Sequence, residues 1–349
     1  MFILYFYLFI TQEVNPISQE TTKKPLDVEK AKEVAKSPKG KIGAVVAVVA
    51  VLAIAVTLVL LLNKTDSPDD YEYTSTTTDV TITGLKNKSL ESLSIPEEIN
   101  GVPVTKIAAN AFDGCTAITS VKLPDTVTEI GNTAFNACKS LKKITLSDSL
   151  TTIGAGAFDC CISLKSVSMP DTVTSLGSYA FDNCSSLTKV TLSKSITEIE
   201  QYTFFKCSSL TSVNIPDGVT KIGVAAFDEC SSLKSVDFPA SLDVISQSAF
   251  ENCSSLKNFT IPNSITAISA SSFAGCSSLS KVVIPNSVTT IDSLAFARCT
   301  GLSRVDIPIS VTAVNRKAFE DCPNLTIYGV KESAAHQYAV ENKITFKEL

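Results

Sequence analysis

Cysteine is the residue type in this chain with the most chemistry on offer, and its spacing decides which chemistry is credible. Cys115, Cys138, Cys161, Cys184, Cys207, Cys230, Cys253, Cys276, Cys299 and Cys322 follow one another at intervals of 23 residues, and only Cys160 is off the beat. A set of cysteines that each occupy the same slot of a repeat forms a column in which neighbours are about 4.8 Å apart. Side chains projecting in parallel suit a disulfide badly. The C-x2-C spacing of zinc knuckles is absent, and His336, the only histidine, lies far from most of the column in sequence. The column therefore reads as free, buried thiols used as small apolar side chains. Serine follows cysteine in five of the ten units, but no histidine accompanies it as a base, and no glycine-rich phosphate loop occurs. These residues give no catalytic, cofactor-binding or metal site, and the chain is not expected to be an enzyme. Six Asn-x-Ser/Thr sequons (Asn63, Asn87, Asn183, Asn252, Asn258, Asn324) bear on glycosylation only if the host modifies secreted protein.

The elements that carry this column repeat with it. Phenylalanine stands three residues before each of the ten cysteines, from Phe112 to Phe319. Counting from each cysteine, aliphatic residues return three residues on (Leu141, Leu187, Leu210), then at six (Val121, Val190, Val213), eight (Leu146, Ile215, Ile284), twelve (Val127, Val219, Val288) and fifteen (Ile130, Ile222, Ile291). The alternation around the sixth and eighth positions predicts a strand with one buried face. Pro ends that strand in seven units, for example Pro216 and Pro262, because it cannot donate to the ladder. Pro-Asp and Pro-Asn are turn chemistry, and Gly131, Gly154, Gly177 and Gly223 mark a bend. The Ala-Phe pair before each cysteine fits a short helical turn whose ring plugs the core. A unit of this size cannot bury its own apolar side chains, so the units must stack into a solenoid. The expected architecture is an α/β-type, mostly β solenoid with a parallel sheet and one strand per 23-residue repeat, capped at both ends.

The repeating pattern of Leu210, Val213, Ile215, Pro216, Val219, Thr220, Ile222, Gly223, Ala226, Phe227 and Cys230 resembles the leucine-rich repeats of the BspA-like family. The resemblance covers roughly residues 79 to 349, including the opening unit IPEEINGVPVTKI and the closing LTIYG with Tyr338, Ala339 and Asn342 further on. It implies a curved, right-handed coil and, for many members, display on the surface of bacteria or parasitic protists with proposed roles in adhesion.

Six segments follow. Residues 1–41 read as a cytoplasmic tail, largely disordered, with a frayed helix at DVEKAKEVAK. Its first ten residues, MFILYFYLFI, are too short to span a bilayer and suit either a membrane-surface segment or an artefact of where the reading frame was opened. Residues 42–62 are uncharged and, as a helix, about 31 Å long, enough to cross the hydrocarbon once. An uncleaved transmembrane anchor is preferred to a core helix or a signal peptide, because LLLNK is no cleavage site. Seven lysines precede the span and Asp66, Asp69, Asp70 and Glu72 follow it, so the amino terminus is expected in the cytoplasm and the repeats outside the plasma membrane. Residues 63–78 read as an extracellular spacer, 79–114 as an atypical first unit that caps the stack, 115–322 as the repeats and 323–349 as the closing cap, with a helix opened by Ser333.

The whole chain carries a net charge of −5. That balance fits nucleic acid poorly. A partner would meet the outward strand positions, five and seven residues after each cysteine, which on a leucine-rich stack line the concave face. They are small and polar and, as counted to Arg304 and Asp306, hold no aromatic anchor, which leaves a solvated sheet face or a protein or glycan site as alternatives. If there is a site, Lys143, Lys189, Asn258, Lys281 and Arg304 are its candidates. The corresponding functions are adhesive contact with host or neighbouring cells, or a structural spacer with no dedicated ligand. Oligomeric state is not legible.

Overall fold

The computed structural model describes residues 66–349. The tail at 1–41, the span at 42–62 and the start of the spacer lie outside the described residues. The rest is a right-handed, mostly β solenoid of about 12 turns. Each regular turn carries a three-residue strand, as in Lys143–Thr145 and Ser212–Asn214, whose middle residue is buried and whose flanking residues are exposed. Pairing is parallel with a 23-residue offset, for example Val121 with Ile144 and Val213 with Val236. This is the strand that the alternation predicts. A second strand of two residues joins it on the other side of the core, as in Glu129–Ile130 and Thr152–Ile153, giving each turn two ladders. The second strand has one inward residue, so it is too short for a period of two to reveal it.

The return between them is not helical. Within it, Ala134, Asn136 and Cys138 each donate a backbone N–H to the residue three before (Gly131, Thr133, Phe135), while Thr133, Phe135 and Ala137 donate to Ala155, Ala157 and Asp159 of the next turn. A helix would satisfy these groups internally, whereas here half of them join the turns. The alternation requires two left-handed residues per unit, such as Thr133 (φ 53) and Ala137 (φ 53). The bend glycines lie elsewhere and have ordinary φ. A Cβ on Gly177 would stand 2.4 Å from the backbone nitrogen of Ala155, so glycine is used there for close approach of one turn to the last.

The core holds the expected columns. Phe112 to Phe319 form one stack, with Phe135 and Phe158 5.3 Å apart and 3° from parallel. All eleven cysteines are free. They are more than space-filling: Cys207 Sγ donates to the carbonyl of Phe181, 3.2 Å away in the previous turn, and every column member from Cys138 to Cys322 repeats the contact. Burial pushes the thiols up, to about 12 for Cys138 and about 11 for Cys322, which keeps the donor proton in place.

The opening cap starts earlier than residue 79. Tyr71–Ser75, expected as spacer, pairs antiparallel with Val80–Leu85, and Tyr71 is fully buried with its hydroxyl on Asp66. This outermost strand covers the end of the core that the first repeat would expose. The hairpin Glu98–Ile99 to Val102–Ile107 turns at Asn100-Gly101, both with positive φ, which suits the twist of paired strands. At the other end, helix α1 (Ala334–Glu341) is capped by Ser333, whose hydroxyl accepts from His336 N. Tyr338 sets its ring edge-on to Phe319, and its hydroxyl accepts from Phe319 N, closing the aromatic column.

Candidate functional site

The outward residues of the three-residue strands form two rows along one face, and the structure sorts the five candidate residues along it. Lys143 and Lys189 point outward from strands flanking Ser166, at exposed positions among serines and threonines. They are separated from the other three by the strands Ser212–Asn214 and Ser235–Asp237, whose outward residues are Ser212, Asn214, Ser235 and Asp237. Asn258, Lys281 and Arg304 fall on consecutive turns and are brought together.

Asn258 marks a break in the face. The strand expected at 258–260 reduces to a single bridge from Asn258 to Ser235. The cause is two large side chains. Phe259 stands where other units hold Val or Ile, and Phe238 where they hold Leu, Ile or Met. Phe259 stacks on Phe273 with ring centroids 4.4 Å apart, and Phe238 meets Phe250 edge-on at 5.4 Å, so two extra rings are wedged against the column. A core close to crystal density cannot absorb that volume without moving the backbone. Two hollows result, one of 580 Å³ between Asn258, Thr260, Lys281 and Val283, and one of 420 Å³ between Asp237, Phe238, Thr260 and Asn263.

Beyond the break the face is regular and charged. Lys281, Arg304, Thr326 and Thr345 align in one row, and Val283, Asp306, Tyr328 and Lys347 in the other. Arg304 grips Asp306 with Nε to Oδ1 at 2.6 Å and Nη2 to Oδ2 at 3.1 Å, and Lys281 Nζ reaches the same carboxylate at 3.5 Å. The guanidinium also lies 4.0 Å from the centre of the Tyr328 ring, while Lys347 approaches that ring at 5.7 Å. Three cations against one carboxylate give this end of the face a local positive charge on a chain of net −5.

Tyr328 supplies the aromatic anchor that the 23-residue count does not find. The last turn is one residue shorter, so Asp306 pairs with Tyr328 at an offset of 22. Counting from Cys322 instead lands on Ile327, which is buried. The available signal was the inward Ile327 itself, since aligning it with Val305 puts Tyr328 outward.

Nothing in this arrangement places a nucleophile beside a base. His336 Nδ1 accepts from Glu332 N at 3.1 Å on the closing cap, and its ring lies against Phe346. Among the described residues no group of three His, Cys, Asp or Glu side chains is placed to hold a metal ion. The geometry suits recognition: a guanidinium held by a carboxylate and an aromatic ring, beside a hollow with amide, hydroxyl and ammonium groups at its rim.

The family model described as BspA type leucine rich repeat region, in 6 copies, matches residues 78–211 and 197–326. Among solved structures, a T. pallidum leucine-rich repeat protein is similar at 29% identity over 62% of this chain and 91% of its own, with a TM-score of 0.45. A leucine-rich cell surface protein of Faecalibacterium prausnitzii is 28% identical over 80% of this chain and 98% of its own, with a TM-score of 0.40. The pneumococcal vaccine antigen PcpA shares the fold at 17% identity over 82% of this chain and 99% of its own, with a TM-score of 0.50. No curated protein matches the chain.

Proposed function

Because the chain belongs to the BspA-type leucine-rich repeat family, we propose that it is a membrane-anchored surface protein that binds a protein partner on host or neighbouring cells through the carboxy-terminal end of its strand face. The observation that carries this reading is the cluster of Arg304, Asp306, Tyr328 and Lys281 beside the 580 Å³ hollow. Tyr and Arg are the side chains that most often dominate protein interfaces, because each offers a large rigid surface and a hydrogen-bonding tip. Here both are held in place before any partner arrives, which lowers the ordering cost of binding. The local positive charge favours an acidic segment of the partner. The anchor is residues 42–62, whose length and flanking charges support a single span with the repeats outside.

The middle of the face supports the other function, that of a spacer. From Ser166 to Asp237 half of its outward residues are serine, none is aromatic, and a face of that kind suits a spacer.

The test is binding of the full chain, in detergent micelles, to an array of host surface and matrix proteins. Saturable binding to at least one member is expected, with a loss of tenfold or more in Arg304→Ala and in Tyr328→Ala and none in Lys143→Ala. Equal binding by all three variants would move the site elsewhere, and no saturable binding would leave the spacer as the function.

A further inference from the structure

A second surface lies on the return side of the coil, away from the strand face. Five residues before each column cysteine from Cys115 to Cys299 the chain adopts a left-handed conformation, and these residues stack from turn to turn through bonds such as Thr133 N to Ala155 O, Gly156 N to Ser178 O and Tyr179 N to Gln201 O. The column runs Thr133, Gly156, Tyr179, Tyr202, Ala225. Tyr179 and Tyr202 are stacked at 4.8 Å and 7°, and Tyr179 is 38% exposed. Tyr202 is fixed in turn by Phe205, edge-on at 5.5 Å, whose ring carries Lys206 at 4.7 Å, and Lys206 is 3.9 Å from Glu229.

Gly156 is the step of this stack without a side chain. The backbone does not require glycine there: Thr133, Tyr179, Tyr202 and Ala225 take the same positive φ. A Cβ placed on Gly156 would meet the Thr133 methyl at 3.2 Å and Asp159 Cβ at 3.9 Å, with no atom of Tyr179 within 4 Å. The omission leaves the outer face of the Tyr179 ring uncovered at a vacant step of an aromatic stack. Asp159 borders that step, and Asp182 stands to Tyr179 as Phe205 stands to Tyr202. Asp182 is half-buried, and its carboxyl is pushed up to about 6 by desolvation first and the Asp159 charge second.

We propose that this step is a glycan-binding site, which takes one neutral pyranose ring against Tyr179, over Gly156, with its hydroxyls on Asp159 and Asp182. An aromatic face carries negative charge density and attracts the weakly positive C–H face of a sugar, which is flat, about as thick as the vacant step, and ringed by donors. Carboxylates accept two hydroxyls each, so a rim of aspartates matches a polyol. The same rim repels uronic and sialic acids. A peptide partner is less well matched, since the step offers no apolar surface beyond the ring and the Thr133 methyl. Wall and floor are fixed by packing, so the site exists before the sugar arrives.

The experiment is a printed array of neutral and acidic oligosaccharides probed with the full chain in a non-glycosidic detergent, followed by calorimetric titration of the retained probe. Retention of neutral members and rejection of sialylated ones is expected. Gly156→Tyr extends the stack into the vacant step on a backbone that tyrosine already adopts twice, and Tyr179→Ala removes the wall; each weakens binding tenfold or more while leaving the circular dichroism spectrum unchanged. Arg304→Ala leaves it unaltered, which separates this site from the strand face. No neutral member retained, sialylated members retained equally, or full binding in folded Gly156→Tyr would each overturn the proposal.

Discussion

Asp182 and Asp228 show what a repeat does to single residues. Both sit two before a cysteine, in a column where Phe205 takes the step between them, and both carboxyls are pushed up to about 6 chiefly by desolvation. Asp159 adds to the rise at Asp182, and Lys206 opposes it. At Asp228 the side chain of Asn252, donating at 3.2 Å, opposes the rise. A carboxyl whose folded value lies above its unfolded value of about 4 holds a proton in the native state that the unfolded state has released, between those two pH values. Stability therefore falls as the pH rises from about 4 to about 6. Urea midpoints measured over this range are expected to fall for the parent, and to fall less for Asp182→Asn; identical profiles would mean that Asp182 is not desolvated. The cysteines carry the complementary lesson. Their burial was legible from their beat, but their bond to the phenylalanine carbonyl of the preceding turn was not, because it joins residues 26 apart whose relation depends on the shape of the return.

At the scale of the element, the front strand at 258–260 is the informative failure. Its alternation is intact, and Asn258 and Thr260 are polar as the pattern demands, yet only one bridge forms. Volume overrides pattern here: Phe259 is on the correct face but is too large for a slot that holds Val or Ile elsewhere. Phe259→Val is expected to restore the strand, so that the Thr260 amide gains protection from hydrogen exchange and the hollow beside Lys281 closes. Unchanged exchange at Thr260 would assign the break to Phe238 or to Pro262. The same variant would weaken a partner seated in the hollow. The return turns make a second case, since Ala-Phe fits one turn of helix by composition, and only the bonds between successive turns turn it into a left-handed, laterally paired segment.

For the whole molecule the proposed order is tail, span, cap, coil, cap, of which the structure describes the last three. The described part is a coil closed at one end by Tyr71–Ser75 and at the other by α1 and Tyr338, which is what a stack of units without cores of their own requires. The lysine-rich segment before residue 42 and the acidic one after residue 65 set the expected topology. Protease added to intact cells should remove the repeats and spare the amino-terminal tail. Protection of the repeats would reverse the topology and remove the surface role with it.

The amino-acid sequence alone determined the coil, its 23-residue step, its inward columns and the existence of both caps. The first three are written once per turn and reinforced by repetition, so local pattern and global fold agree, and the caps follow because the stack would otherwise expose a core face at each end. It also named Asn258, Lys281 and Arg304 as outward. What the tertiary structure decided was wherever the beat is broken: the one-residue deletion that turns Tyr328 outward, the oversized Phe259 that opens the hollow, the strand Tyr71–Ser75 folded back over the end, and the missing side chain at Gly156. A periodic sequence predicts its average turn, and both proposed sites sit at departures from that average. Their consequence depends on what the neighbouring turn places 5 Å away, which a residue's own position in the repeat does not record.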